Sequence, residues 1–224
     1  MPSRLFFSGD FKDVVLLSSD ETRHLKALRL KSGDVVELFD GRGNVAEGIV
    51  EFFGKKARVR IVKAEKFSQD LPEIILWTAI PKGERADWLV EKATELGVSK
   101  IIPMLFRYSV VKPKKTKLER WKRLSIAASA QCKRAFVPEI ADPLDFRQAL
   151  ESVKDEQLIL CHQDGKDFSE LKLNKKKIIL IIGPEGGFDK SELDLNAEKL
   201  KLSNNILRIE TAAIVGVGLL RSLL

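Results

Sequence analysis

A glycine-rich turn that follows a continuous apolar run is the first candidate for a ligand site in this sequence. Residues 178–182 are all Ile or Leu, and they lead into Gly183-Pro184-Glu185-Gly186-Gly187-Phe188. Glycine permits positive φ angles and lets a ligand approach the main chain closely. Asp189-Lys190-Ser191-Glu192 then has the form of a helix capping box. The pattern predicts a strand, a turn and a helix, with a ligand at the carboxyl end of the strand. It is neither the GxxxxGK[ST] phosphate loop nor GxGxxG.

A second candidate is the stretch Ile206-Leu207-Arg208-Ile209-Glu210-Thr211-Ala212-Ala213. It is interpreted as a buried strand over residues 206–209 that enters a helix capped by Thr211. Arg208 and Glu210 are two residues apart, so they are expected on the same face of the strand. A guanidinium there could orient a substrate and stabilise developing negative charge, with Glu210 holding it or relaying a proton. An internal ion pair that fixes the strand end is the structural alternative.

Positive charge is concentrated in one part of the chain. The net charge is +7, and the segment from Arg107 to Arg134 holds ten Lys or Arg against one acid, Glu119. Such a local excess favours a polyanionic partner, because each phosphate contact releases counterions. A solvated helix face is the alternative interpretation.

Metal and disulfide chemistry are not indicated. Cys132 and Cys161 are far apart and lack CxxC spacing, and His24 and His162 cannot form a multi-histidine site. No metal site is therefore expected. The chain also lacks an apolar run of about 18 residues and begins without the apolar core of a signal peptide, so a cytoplasmic protein is expected.

The elements that must position these residues fall into two parts with a predicted boundary near residue 70. Before it, alternating apolar residues between glycine-bearing turns predict strands and a small barrel or meander, with a helix that starts at a Ser18-x-x-Glu21 capping box. The predicted strands are residues 4–7, 14–17, 35–39, 44–53 and 56–65.

After the boundary, buried-strand candidates alternate with helices, which predicts an α/β parallel sheet covered on both faces. A long basic helix is expected to be capped by Thr116 and to place Leu118, Trp121, Ser125, Ala128 and Cys132 on one face. The strand candidates are residues 74–80, 100–105, 157–161, 177–182 and 206–209, and a further helix spans residues 84–96.

Motifs along almost the whole chain resemble the bacterial family of small-subunit (16S) rRNA uracil-N3 methyltransferases (RsmE-type) in the SPOUT superfamily. They occur in the family's order, which makes the resemblance more specific than any one of them. Besides the two stretches above, they are His24-Leu25-Lys26-Ala27-Leu28-Arg29-Leu30, Leu38-Phe39-Asp40-Gly41, Lys82-Gly83, Glu91-Lys92-Ala93-Thr94-Glu95-Leu96-Gly97-Val98, Ser109-Val110-Val111, Arg120-Trp121, Ala127-Ala128 with Gln131-Cys132, and Val137-Pro138-Glu139-Ile140. The segment Leu202-Ser203-Asn204-Asn205 and Ile209 depart from the family pattern.

The resemblance implies a PUA-like β-barrel RNA-binding domain over residues 1–70 and a SPOUT methyltransferase domain over residues 71–224, with a deep trefoil knot and a dimer interface. It also implies S-adenosylmethionine as cofactor. A homodimer is expected independently, because the final helix carries more apolar side chains, through Leu224, than one buried stripe uses. The cofactor-binding residues implied are Leu160, Cys161, Gly183, Pro184, Glu185, Gly186, Leu207, Thr211 and Ala212.

The activity implied is methylation of N3 of a uridine in 16S rRNA, expected on the assembled small ribosomal subunit, with Arg208 and Glu210 as catalytic residues. A SPOUT ribose 2′-O-methyltransferase and a non-catalytic RNA-binding module are the alternatives. The residues expected to bind RNA are Arg29, Lys82, Arg107, Lys112, Lys114, Lys115, Lys117 and Arg134.

Overall fold

The structure is a computed structural model that describes residues 3–7 and 9–223. Within them the chain forms two units. The first contains the chain up to Gln69 together with Ser129–Val137. The second contains Asp70–Ala128 and the chain from Pro138 onward. Leu224, named in the dimer prediction, lies outside the described residues.

The first unit is built on a five-stranded sheet in the order β1-β3-β4-β5-β2, in which β1 and β3 are parallel and the other neighbours antiparallel. Its core includes the fully buried Val36 and Leu38 of β3 and Ala57 and Val59 of β5, two residues apart in each strand, which is the spacing of one strand face. The sequence prediction of a small β module is confirmed. Its elements are β1 Ser3–Phe6, β2 Val14–Leu16, α1 Ser19–Ala27, β3 Val35–Phe39, β4 Asn44–Phe53 and β5 Lys56–Lys66.

Two local predictions in this unit are also confirmed. Ser18 and Glu21 form the capping box at the start of α1. Gly41 and Gly43 adopt φ angles of +73° and +100° in the turn between β3 and β4, where an L side chain would be strained. They form one of the predicted glycine-bearing turns between strands.

The second unit is an α/β structure around a parallel sheet in the order β12-β10-β11-β6-β7-β8, with β9 pairing β7. Its elements are β6 Glu73–Thr78, α2 Arg85–Glu95, β7 Lys100–Leu105, α3 Lys115–Gln131, β8 Glu139–Ile140, β9 Leu144–Asp145, α4 Phe146–Glu151, β10 Gln157–Lys166, β11 Lys177–Ile182, α5 Lys190–Leu193, β12 Glu198–Leu200 and α6 Ile209–Ser222.

The central strand β11 shows why the sheet forms. Residues 178–182 are all buried, as expected for a strand covered on both faces. The helix α6 packs against β11, β6 and α2, and it buries Ala213, Val217 and Leu220. The predicted α/β class is confirmed. None of the described helices is long and apolar enough to cross a membrane.

Three predictions about local structure are wrong. Residues 206–209 do not form a strand, since they follow a bend and Ile206 is 89% exposed. Helix α6 begins at Ile209 with Arg208 at its N-cap, so Thr211 is not the cap. Helix α3 begins at Lys115, which puts Thr116 inside its first turn. Sequence reasoning missed the strands β8, β9 and β12, each of which is only two or three residues long.

Candidate active site

A cleft of about 410 Å³ lies where β10 and β11 meet the loops that follow β11 and β12 and the first turn of α6. This is the carboxyl end of β11, the position where ligands of α/β sheets usually bind. The volume is within the range of small-molecule sites, roughly 300 to 1,000 Å³. Its lining residues are Cys161, His162, Gln163, Ile182, Gly183, Pro184, Glu185, Gly186, Gly187, Phe188, Leu200, Leu202, Ser203, Asn205, Ile206, Leu207, Ile209 and Ala212.

The glycine-rich turn forms one wall of this cleft, over residues 183–188, and is called the glycine loop below. A Cβ on Gly183 would lie 2.6 Å from the ring of Phe188, so glycine is needed for the ring to pack there. Gly187 adopts a φ of +76°. Asp189 and Glu192 then form the predicted capping box at the start of α5. The sequence prediction of strand, turn and helix is confirmed here.

Seven of the nine residues expected to bind the cofactor line the cleft: Cys161, Gly183, Pro184, Glu185, Gly186, Leu207 and Ala212. Leu160 is fully buried in β10 and does not line it. Thr211 is half-buried in the first turn of α6 and also lies outside the lining. Whether these residues hold a ligand stays a prediction.

Sequence reasoning missed several lining residues. His162 and Gln163 extend β10 past the predicted strand end, and the Gln163 side-chain amide donates to the Asn205 carbonyl at 3.2 Å. Phe188 could have been predicted as a lining residue, because it ends the glycine-rich motif. Three lining residues of the loop after β12 could not have been predicted, because their segment departs from the family pattern; they are Leu202, Ser203 and Asn205.

Two side chains of β10 that line the cleft are Cys161 and His162. Burial raises the pKa of the Cys161 thiol, which keeps it in the protonated form. His162 accepts the Asp164 backbone N–H through Nδ1 at 3.2 Å. A neutral thiol is a poor nucleophile, so the raised pKa argues against Cys161 as a covalent catalyst.

The two predicted catalytic residues do not share a strand face. Arg208 is exposed at the N-cap of α6, beside the lining residues Leu207 and Ile209. Glu210 is 4% exposed, and its Oε1 lies 3.8 Å from Nη1 of Arg85 at the start of α2. Glu210 Oε2 has no hydrogen-bond partner among the described residues. The structural alternative of an Arg208–Glu210 clamp is therefore replaced by a pairing of Glu210 with Arg85.

Some of the basic residues make contacts within the protein, and others are exposed without a role in the fold that the structure identifies. Lys117 donates to the Gly83 carbonyl at 3.0 Å and lies over the Trp121 ring. Arg120 pairs with Asp87 at 2.9 Å, and Asp87 also accepts the Trp121 indole N–H. Arg134 belongs to the first unit, where it is half-buried and interacts with another group of the protein. The predicted RNA-binding residues that are exposed are Arg29, Lys82, Arg107, Lys112, Lys114 and Lys115.

No group of three or more His, Cys, Asp or Glu residues that could hold a metal ion occurs in the part of the chain that the structure describes.

Known protein families match both units. A model described as an RNA methyltransferase domain matches residues 69–221, and one described as an RNA methyltransferase PUA domain matches residues 17–63. The chain is therefore an α/β RNA methyltransferase domain preceded by a PUA-like sheet domain. It belongs to the ribosomal RNA small subunit methyltransferase E family.

Individual relatives agree with this assignment. The chain is 30% identical over 94% of its length to ribosomal RNA small subunit methyltransferase E of Rickettsia conorii, covering 90% of that protein. It is 32% identical over 62% of its length to the Synechocystis enzyme of the same name, but that match spans only 46% of the relative. The crystal structure of ribosomal RNA small subunit methyltransferase E from Neisseria gonorrhoeae bound to S-adenosylmethionine matches with a TM-score of 0.92 at 25% identity, covering 100% of this chain and 98% of that one.

Proposed function

We propose that this protein binds S-adenosylmethionine in the cleft and methylates N3 of a uridine in 16S rRNA. The observation that carries the proposal is the cleft at the carboxyl end of β11, walled by the glycine loop, in a chain of this family. The Neisseria relative is bound to S-adenosylmethionine and shares the fold along the whole chain.

The residues of the cleft fit this cofactor. Ile182, Leu202 and Leu207 supply an apolar wall, and the glycine loop exposes main-chain groups without side chains at three positions. An adenine ring can be held by such apolar contacts and by main-chain amides and carbonyls. When bound, S-adenosylmethionine supplies an activated methyl group on a sulfonium.

The protein must orient the base and stabilise the charge that develops as N3 transfers its proton to solvent water. Arg208 is suited to this role, because it is exposed next to the cleft and a guanidinium can donate two parallel hydrogen bonds to a base edge. Glu210 would act indirectly, since its buried carboxylate faces Arg85 and fixes the start of α6 against α2. Preorganised charge of this kind contributes several kcal/mol to catalysis, about 10²- to 10³-fold in rate per donor.

We assign residues 1–70 as the RNA-binding domain and residues 71–224 as the knotted methyltransferase domain. The exposed basic residues would contact rRNA phosphates, and the small ribosomal subunit would be the substrate in the cytoplasm. A homodimer would form through α6, where Ile214, Val215 and Leu219 are only half-buried.

The test is to incubate the protein with S-adenosylmethionine and either unmodified small subunits or naked 16S rRNA. The RNA is then digested and the nucleosides are identified by mass spectrometry. We expect N3-methyluridine, formed faster on subunits. A product methylated at carbon 5 or on the ribose would refute the proposal. Arg208→Ala should bind S-adenosylmethionine nearly normally while the single-turnover rate falls by about 10²-fold or more.

A further inference from the structure

The segment that leaves β7, residues 106–111, is fastened to the glycine loop and to α5. It is called the exit segment below, and it leads directly to the exposed lysines at residues 112–115. Phe106 packs edge-on against Phe188, with ring centroids 5.4 Å apart. The Phe106 N–H also donates to the Ser109 hydroxyl at 3.0 Å, which closes the segment into a turn.

Glu192 is the central polar link. Its side chain is nearly fully buried, with the residue only 3% exposed. Its Oε1 accepts the Arg107 backbone N–H at 2.7 Å, and its Oε2 accepts the Asp189 backbone N–H at 2.8 Å. One carboxylate therefore joins the exit segment to the residue that follows the glycine loop.

Tyr108, the only tyrosine of the chain, supplies a second link. Its hydroxyl donates to the Asp189 carboxylate at 3.4 Å. A Cβ on Gly186 would lie 3.0 Å from Tyr108 Cβ, so this tyrosine packs against the outer side of the glycine loop. The tyrosine bond contributes to lowering the pKa of Asp189, after the larger effect of Ser191.

We infer that Glu192 is a positioning residue that couples RNA binding on the exit segment and its lysines to cofactor binding at the glycine loop. The inference rests on the proposed function, since it takes rRNA and S-adenosylmethionine as the two ligands. RNA that orders the exit segment orders the glycine loop through the Glu192 carboxylate. By thermodynamic linkage each ligand then strengthens the binding of the other by the same factor.

The chemistry requires a carboxylate at this position. Both oxygens accept a backbone N–H, and a side-chain amide offers only one acceptor and turns its NH₂ toward a second donor. A buried hydrogen bond lost in this way leaves an unpaired N–H. Glu192→Gln should therefore cut one of the two links while changing the side-chain volume very little.

The experiment measures the affinity for S-adenosylhomocysteine, the unreactive product of the cofactor, by calorimetry with and without saturating 16S rRNA. For the wild type we expect RNA to tighten binding at least about fivefold, the lower end of typical coupling. For Glu192→Gln the ratio of the two dissociation constants should fall below about twofold. A merely structural defect in the loop would weaken S-adenosylhomocysteine binding equally with and without RNA, so the ratio of the two dissociation constants would stay at the wild-type value.

Glu21→Gln is the matched control, because Glu21 is the equivalent capping-box carboxylate of α1 and accepts the Ser18 N–H. It should keep the wild-type ratio. If Glu192→Gln does not fold, Tyr108→Ala replaces it, since Tyr108 is 47% exposed, and its ratio should fall as well. The inference is overturned if the two dissociation constants of the wild type are nearly equal, or if Glu192→Gln and Tyr108→Ala keep the wild-type ratio. Loss of cofactor binding or methylation in the wild type would instead refute the proposed function.

Discussion

Replacing Gly183 by alanine should damage the cleft through a single contact. The added Cβ would lie 2.6 and 2.7 Å from Cζ and Cε2 of Phe188. Non-bonded carbons prefer separations of about 3.5 to 4.0 Å. The phenyl ring must therefore shift by about 1 Å or the loop must open.

The direction of that shift follows from the packing around the ring. Phe106 blocks one side, because it contacts Phe188 edge-on and is itself packed 4.7 Å from the buried Phe146 ring. The open side is the cleft, which Phe188 lines. Overpacking costs about 1 to 3 kcal/mol. Cofactor binding would then require the ring to move back out of the cleft against that overpacking energy. A cost of this size corresponds to roughly 5- to 150-fold weaker S-adenosylmethionine binding.

The assay is calorimetric titration of S-adenosylmethionine into wild type, Gly183→Ala, Phe188→Leu and the double variant. The smaller leucine should relieve the overlap, so the two changes should be non-additive by about 0.5 to 3 kcal/mol. Gly218→Ala is the control, because its Cβ would lie 4.0 Å from Leu96 and alanine favours a helix. Wild-type affinity in Gly183→Ala, or strict additivity in the cycle, would contradict the reasoning.

Three further outcomes are expected. Replacing the lysines of residues 112–115 by glutamate should flatten the salt dependence of RNA binding, by roughly 0.7 to 0.9 in log–log slope per lost phosphate contact; Lys117→Glu is a poor test, because Lys117 binds the Gly83 carbonyl. Cys161→Ala should keep substantial activity. Cys161 should also resist iodoacetamide at neutral pH, because burial raises the pKa of its thiol and the unreactive protonated form persists until the pH approaches that raised value. Rapid alkylation at neutral pH would contradict this prediction. Light scattering should show a dimer at micromolar concentration, and a monomer would exclude the α6 interface.

The parts of the fold that sequence predicted well are those with local backbone signals. Both capping boxes, at Ser18 and at Asp189, appear where their spacing places them, because the side chain and the N–H it accepts are three residues apart. The apolar run of β11 was recognised because a strand covered on both faces has no polar alternation. The glycine loop followed from the same local reasoning.

Contacts between distant segments could not be predicted in this way. Glu210 pairs with Arg85 across α2 and α6, and Glu192 accepts the Arg107 N–H, although each pair is far apart in sequence. Sequence spacing can identify only partners on the same element, so it indicated Arg208 as the partner of Glu210. The actual partner depends on which helices pack together.

The error at residues 206–209 has a physical cause that bears on the site itself. Apolar residues that line a ligand cleft have the same composition as apolar residues of a core, so Ile206 and Leu207 matched a buried strand in the sequence. In the structure Ile206 is 89% exposed at the cleft and Leu207 is half-buried in its wall. An exposed isoleucine beside a cofactor cleft is unfavourable in water unless a ligand covers it. Bound cofactor or substrate would therefore remove apolar surface from solvent at the loop that was wrongly predicted as a strand. The same loop places Arg208 at the edge of that apolar surface.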